Sequence, residues 1–322
     1  MKRMVLWGAI IVACTLCTAR AQDKPTYAER LGWPKDARVV MFHCDDAGMS
    51  HGQNLGAIEA LEYGVLTSVS TMMPCPWVPE FAGYLKDNPH VDNGLHLTLT
   101  SEWNNYRWGP LAGKPAVPGL GDPAATLWSN VISVVTNASA QEVDKEIRAQ
   151  LERAELLGIP ITHLDTHMGT LYAKPEYTEV YVNLGIEKQI PVMIMGGHLQ
   201  FIAGDEPDAV KQLEVTNLAE KVWQAGLPVL DDLHNRTYGW RTYDQKKFKL
   251  MEDLRTMKPG LTMVIVHCAK PNEEWPLFTG SSETRLNDLR LMTDPEFKRF
   301  VEEEKFILTT WREMMERRKK AK

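Results

Sequence analysis

The chain has 322 residues, long enough for one large domain with a full core, and 44% apolar with 24% charged residues is an ordinary globular composition. Formal charge is −6 at pH 7; the first 21 residues hold Lys2, Arg3 and Arg20 and no acid, so the chain without them stands at −9. A chain this negative repels nucleic acid and anionic membranes, which excludes both as expected partners.

The opening residues "MKRMVLWGAIIVACTLCTARAQ" set Lys2 and Arg3 before an apolar run that ends at Ala19, Arg20 and Ala21. This is the pattern of a secretory signal peptide over residues 1–21, cleaved before Gln22, and it predicts export to the periplasm or beyond. A lipid anchor at Cys14 is the alternative reading of "IVAC". No later segment is apolar for long enough to span a bilayer. Residues 22–322 then form one domain. Beyond the leader, Cys44, Cys75 and Cys268 are too few for a disulfide framework, so buried thiols are expected, with Cys44–Cys268 the one pair to consider.

Short β-type runs alternate with helical patterns along this domain. Strands are predicted at 38–45, 67–74, 92–100, 161–167, 191–197, 227–233, 261–268 and 305–311. Ser50 is placed to cap a helix with Leu55, Ile58 and Leu61 on its apolar face. "SAQE" (139–142) reads as a capping box opening a helix to about Leu157, stopped by Gly158 and Pro160. Further helices are predicted at 177–189, 208–225 and 244–257. Eight strands interleaved with helices predict an α/β fold, a mostly parallel, distorted (β/α) barrel, with a doubly wound open sheet as the alternative. The stretch 101–137, rich in Gly, Pro and Trp, interrupts the rhythm and reads as a long functional loop.

In such folds, sites form at the carboxyl ends of strands. The first strand ends in Asp45 and Asp46, two adjacent acids that repel each other unless a cation or donors sit nearby. Neighbouring strand residues point to opposite faces, so the pair can serve one site only where the strand gives way to a turn, and Gly48 offers that freedom. "NGLHLTLT" puts His96, Thr98 and Thr100 on one face. "THLDTHMG" aligns His163, Asp165 and His167, but residues four apart on a strand are ~13 Å apart at ~3.3 Å per residue, so both histidines cannot bind one ion. His167 is nearer the expected mouth, and Asp165 could orient a histidine from behind. His267 ends the apolar run "TMVIVH", well placed for acid–base work near neutral pH. His43 and His51 read as structural, and Asp231 with Asp232 as a polar rim. Trp103, Tyr106 and Trp108 on the long loop could stack on sugar rings, loop packing being the alternative.

Together "CDDAGMSHGQNLGAIEALEYGVLTSVSTMM", "GLHLTLT", "THLDTH", "VIVHC" and "FILTTWREM" resemble, in order, the YdjC-like carbohydrate deacetylases. The resemblance implies a distorted (β/α) barrel with one divalent metal ion, held by Asp46, His96 and His167. It matches Asp45 to the catalytic base and His267 to the general acid. Zinc or magnesium is the expected ion, with manganese or cobalt as alternatives, and an N-acetylated carbohydrate is the expected substrate. The chain departs from the family pattern at Ala47, at Met168, Gly169 and Thr170, and at Cys268. The expected activity is removal of N-acetyl groups from an amino sugar or oligosaccharide, releasing acetate. An O-acetyl esterase or other metallo-amidase, or a non-catalytic exported sugar-binding protein, are the rival readings.

Overall fold

The structure, a computed structural model, describes residues 24–202 and 209–321, so the leader reading lies outside the described residues. Seven strands form one parallel sheet: β1 (Arg38–Ala47), β2 (Ser68–Thr71), β3 (Asn93–Leu97), β4 (Leu164–Thr166), β5 (Asp232–His234), β6 (Gly260–Val266) and β7 (Ile307–Leu308). Their order is β4-β3-β2-β1-β6-β5, with β7 on β1. β1 is central. It pairs with β6 from Arg38 to Cys44, while its other edge takes β7 at Val39 and Val40 and then β2 from His43 onward. Buried on both faces, β1 and β6 read as near-continuous apolar runs, as parallel strands do.

The fifth of the eight predicted strands, 191–197, makes only isolated bridges, Val192 to Leu164 and Met195 to Leu230. Gly196 and Gly197 weaken it as a strand. Its backbone nevertheless closes the ring. Leu164 N donates to Pro191 O (2.8 Å) and Met193 N to Leu164 O (2.9 Å), Leu230 N donates to Ile194 O (3.0 Å), and Asp231 N donates to Leu261 O (2.9 Å). The sheet is therefore a barrel curled from parallel strands and completed by an irregular segment.

Helices Ala140–Leu156, Pro175–Lys188, Ala209–Gln224 and Tyr243–Arg255 lie where the sequence places them, and Ser139 with Glu142 closes the capping box. Ser50 caps helix His51–Tyr63 as expected, accepting from Gln53 N. The buried face of that helix differs in part from the prediction: Ile58 and Leu61 pack half-buried against the core, Leu55 is exposed, and the most deeply buried positions include Gly52, Gly56, Ala57 and Ala60. A Cβ at Gly56 would overlap the backbone of Ala269, so small residues, rather than large ones, let this helix press on the chain just after β6. Helices Val78–Asp87, Val131–Asn137, Ser282–Met292 and Pro295–Glu303 went unread in the sequence, Val131–Asn137 falling inside the supposed loop 101–137. No helix among the described residues is long and apolar enough to cross a membrane.

Asp231 and Asp232 are corrected as well. Asp232 begins β5 and Asp231 directly precedes it, so the pair starts a strand rather than ends one, at the barrel face away from the β1 and β6 carboxyl ends. Both are fully buried. Asp231 accepts from Tyr27 N (2.7 Å), Ala28 N (3.0 Å) and Leu261 N (2.8 Å), tying the first helix to the start of β6. Asp232 accepts from Phe201 N (2.8 Å).

A buried ion pair braces the other face. Lys246 Nζ lies 2.6 Å from Asp288 Oδ1 and donates to Thr237 O (2.7 Å), while Asp288 Oδ2 accepts from His267 N (2.9 Å). Removing one member of such a pair leaves an uncompensated buried charge. Lys246→Met should lower unfolding free energy by about 3–5 kcal/mol in urea titration, and adding Asp288→Asn should restore part of it. A Lys246→Met protein as stable as the parent would contradict this bracing.

Candidate active site

The carboxyl end of β1 carries a β-bulge. Cys44 pairs with Val69 and Ala47 with Thr71, so Asp45 and Asp46 together oppose the single residue Ser70. Asp46 sits in the left-handed region at φ 70°, followed by Gly48 at φ 84°. The strand does not give way to a turn at the pair; Asp46 itself takes the unusual conformation. Both carboxylates then face one space: His96 Nε2 is 3.3 Å from Asp46 Oδ1 and 3.7 Å from Asp45 Oδ2.

His96 on β3 and Asp165 on β4 are register partners, which brings Asp165 Oδ1 to 2.8 Å from His96 Nδ1 and turns His96 Nε2 toward the acids. The exit of β3 is clamped by Gln150, whose amide accepts from Thr98 N (2.9 Å) and donates to Thr98 O (2.7 Å). His167 opens the short 3-10 helix that ends β4, followed by Met168 and Gly169 in left-handed conformations. Its Nδ1 is 3.3 Å from Asp46 Oδ1 and 3.2 Å from His96 Nε2, and its Nε2 is 3.2 Å from Glu102 Oε2.

Asp46, His96 and His167 thus offer one oxygen and two nitrogens at the corners of a nearly equilateral triangle. These three could hold a divalent cation. Edges of 3.2–3.3 Å suit ligand bonds of about 2.0–2.1 Å at near-tetrahedral angles. Asp46 Oδ1 is buried without an aligned hydrogen bond, and two imidazole lone pairs facing each other at 3.2 Å repel unless a proton or cation lies between them. Asp165 behind His96 and Glu102 behind His167 complete the carboxylate–histidine arrangement typical of metal ligands.

Electrostatics point the same way. Asp45, Asp46, Asp165 and Glu102 gather around the three ligand candidates, and the buried guanidinium of Arg285 pairs with one of them, its Nη1 2.7 Å from Asp46 Oδ2. Burial opposes ionisation of Asp46, but Arg285 and the two imidazoles outweigh it and hold the carboxyl well below its usual range. Burial likewise opposes charge on His167, and Glu102 with Asp46 raises it to about 9; His96 is raised well above its usual value by Asp45 and Asp165 against the same burial cost. The excess of carboxylates attracts positive charge, whether protons or a metal ion.

His267 lies beyond the end of β6, its Nε2 3.9 Å from Asp45 Oδ2 and its ring 4.9 Å from Tyr238. Burial, with Arg285 nearby, pushes its pKa down. A cavity of about 320 Å³ lined by Trp103, Tyr238, Arg241, Ser281 and Glu283 opens alongside. Tyr106 stacks on Trp103 and donates to Met49 O. Trp108 is 3% exposed and donates to Thr100 O (2.9 Å), which places it in the core of the loop and away from a sugar. His163 is buried, its ring stacked on Trp311 at 5.0 Å and its Nε2 3.6 Å from Asp165 Oδ2, so it lies behind the site rather than in it. Cys44 and Cys268 are free thiols, Cys44 Sγ accepting from Cys268 N (3.2 Å).

The sequence profile described as YdjC-like protein matches residues 39–303. The chain belongs to the YdjC-like family. It is 32% identical over 294 residues to a carbohydrate deacetylase of Thermus thermophilus, covering 89% of this chain and 97% of that one. It is 26% identical over 270 residues to a chitooligosaccharide deacetylase of Yersinia enterocolitica, covering 83% and 95%. A solved structure from Enterococcus faecalis superposes with a TM-score of 0.71 at 20% identity, covering 85% of this chain and 98% of that one, and supports the barrel fold.

Within this YdjC-like site, Arg285, Glu102 and His43 escaped the sequence reading. Arg285 lies on a helix, Ser282–Met292, that the sequence pattern does not predict, Glu102 lies in the stretch 101–137 that reads as a loop, and His43 reads as structural. An acid two residues beyond the polar row of β3 was the one available signal for Glu102. The site makes a direct prediction. With ZnCl₂ or MnCl₂ at about a hundred times its dissociation constant, unfolding free energy should rise by about 2.7 kcal/mol over chelator-treated protein. The rise should vanish in His96→Ala; equal stability with and without added ion in the parent protein would remove the cation site.

Proposed function

We propose that the protein is an exported, metal-dependent carbohydrate N-deacetylase, with export resting on the leader pattern at 1–21. One observation carries the chemistry. A cation-sized triangle of Asp46, His96 and His167 stands beside a carboxylate, Asp45, whose Oδ2 points into the same space as His267 Nε2. The names of the relatives supply the carbohydrate and the acetyl group. Two imidazoles with one carboxylate fit zinc, manganese or cobalt better than magnesium, which prefers oxygen ligands.

An ion bound by Asp46, His96 and His167 supplies Lewis acidity, which polarises the acetyl carbonyl and makes a water more acidic. Asp45, whose Oδ2 faces the same space as His96 Nε2 and His267 Nε2, takes a proton from the attacking water. His267 gives a proton to the nitrogen as the C–N bond breaks, so the amine leaves neutral. At 3.9 Å, Asp45 Oδ2 and His267 Nε2 are close enough for the proton gained by one to replace the proton lost by the other after a small movement. Trp103 and Tyr238 give the cavity aromatic faces suited to a sugar ring.

Asp45→Asn should retain bound metal by elemental analysis while losing about 10²–10⁴ of the rate of acetate release from a panel of N-acetylated sugars. Parent-like turnover in that variant would take Asp45 out of the mechanism. Release from O-acetyl substrates alone would make the protein an esterase, and sugar binding without turnover would make it a receptor.

A further inference from the structure

We infer that His43 is a positioning residue for this reaction, the internal donor that holds the Asp45 carboxylate in place by bridging it to Asp165. The inference rests on the reading of Asp45 as base and adds the group that aims it. His43 is wholly buried two residues before Asp45. Its Nε2 is 3.2 Å from Asp45 Oδ1, 2.9 Å from Asp165 Oδ2 and 3.1 Å from Ser70 Oγ.

Both carboxylate oxygens are buried with no aligned hydrogen bond among the described residues, and His43 Nε2, which also reaches Ser70 Oγ, is the nearest cationic group to each. Without that N–H, two carboxylates would face each other across a dry gap. The ring cannot swing away. Its Nδ1 is 2.9 Å from Ser68 Oγ, and the His163 ring packs edge-on at 5.0 Å, itself stacked on Trp311. Gly94 makes the room, since a Cβ there would overlap the His163 imidazole. The two acids, as acceptors and as charges, outweigh burial and raise the His43 pKa to about 9, in keeping with a proton held between them. Asp165 meanwhile uses its other oxygen on His96, so one carboxylate ties the alignment of the base to a corner of the cation triangle.

The test uses the full chain loaded with ZnCl₂ and assayed for acetate release from N,N′-diacetylchitobiose and the wider N-acetyl sugar panel. His43→Leu should lower kcat about a hundredfold, the size of effect expected when a reacting group moves by about 1 Å, with KM within about threefold and one equivalent of zinc retained. His43→Gln, which restores an N–H near the Nε2 position, should recover about tenfold of that loss. Asp45→Asn and the double variant Asp45→Asn/His43→Leu should turn over equally, because a residue acting through Asp45 has nothing left to aim. A crystal structure of zinc-free His43→Leu should show the Asp45 carboxylate displaced and the Asp46, His96 and His167 triangle unchanged.

Parent-like kcat, an unmoved Asp45, loss of the zinc, or an added penalty in the double variant would each overturn the inference. If His43→Leu does not fold, Ser68→Ala, which frees the far side of the ring, should still lower kcat about tenfold at unchanged KM, and no change would count against it. Should the parent release no acetate from any substrate, the deacetylase reading falls, and the crystallographic position of Asp45 still decides the role of His43.

Discussion

Asp45 and Asp46 share the partner position of Ser70, and this one extra residue in β1 turns two neighbouring carboxylates toward the same space. A regular strand would send one of them into the opposite face. The bulge has a cost: a non-glycine residue in the left-handed region costs about 1–2 kcal/mol, least for Asn and Asp. Local bonds hold it there. Gln53 Nε2 donates to Asp45 O (2.9 Å), Met49 N to Asp46 O (3.2 Å), and Gly48 N to Asn54 Oδ1 (2.7 Å). Two of these partners come from the helix that Ser50 caps, so the cap, the helix and the bulge form one local unit.

Each buried acid then divides its two oxygens between a tether and a task. Asp46 gives Oδ2 to Arg285 and turns Oδ1 to His96 and His167. Asp45 gives Oδ1 to His43 and leaves Oδ2 toward His267. Asp165 spends both oxygens on imidazoles, one on each side. A carboxylate fixed at one oxygen has little rotational freedom at the other, so the tethers set the geometry of the reacting atoms before any ligand arrives. Such preorganisation is worth most in a dry site, where reorienting a charge costs most.

His96 is readable because strand periodicity is local, and it stands out in an alternating run. The spacing in "THLDTH" shows only that His163 and His167 cannot share an ion; choosing His167 needs the expectation that sites lie at strand carboxyl ends, and choosing Asp46 over Asp45 needs the family resemblance. What escaped was the set of partners reached across the barrel. Arg285 is 239 positions from Asp46 in the chain, and nothing near it marks it as different from any surface arginine. Periodicity also misled where packing is too close for large side chains. Helix His51–Tyr63 buries its glycines and alanines most deeply, and a reading that looks for bulky apolar residues finds only the margin of that face, at Ile58 and Leu61, and misplaces Leu55. Asp231 and Asp232 failed for another reason: a strand predicted to stop at 233 starts at 232, and a shift of that size exchanges the working face of a barrel for its structural one.

The helix Ser282–Met292 shows why those distant partners matter. Arg285 and Asp288 are three residues apart, hence on one face of the helix. Arg285 reaches Asp46 at the end of β1, while Asp288 accepts from the backbone of His267 beyond the end of β6. Lys246 neutralises Asp288 from below, so the helix presents one cation and one compensated acid to two adjacent strand ends. β1 and β6 are hydrogen-bonded neighbours only as far as Cys44 and Val266. Beyond that point the ladder ends, one chain entering the bulge and the other running to His267, and the gap is spanned by the Cys268 N to Cys44 Sγ bond (3.2 Å) and by this helix face. The separation of Asp45 from His267 therefore depends in part on a helix that bears neither residue, which makes its packing a determinant of the chemistry alongside the residues that face the reaction space.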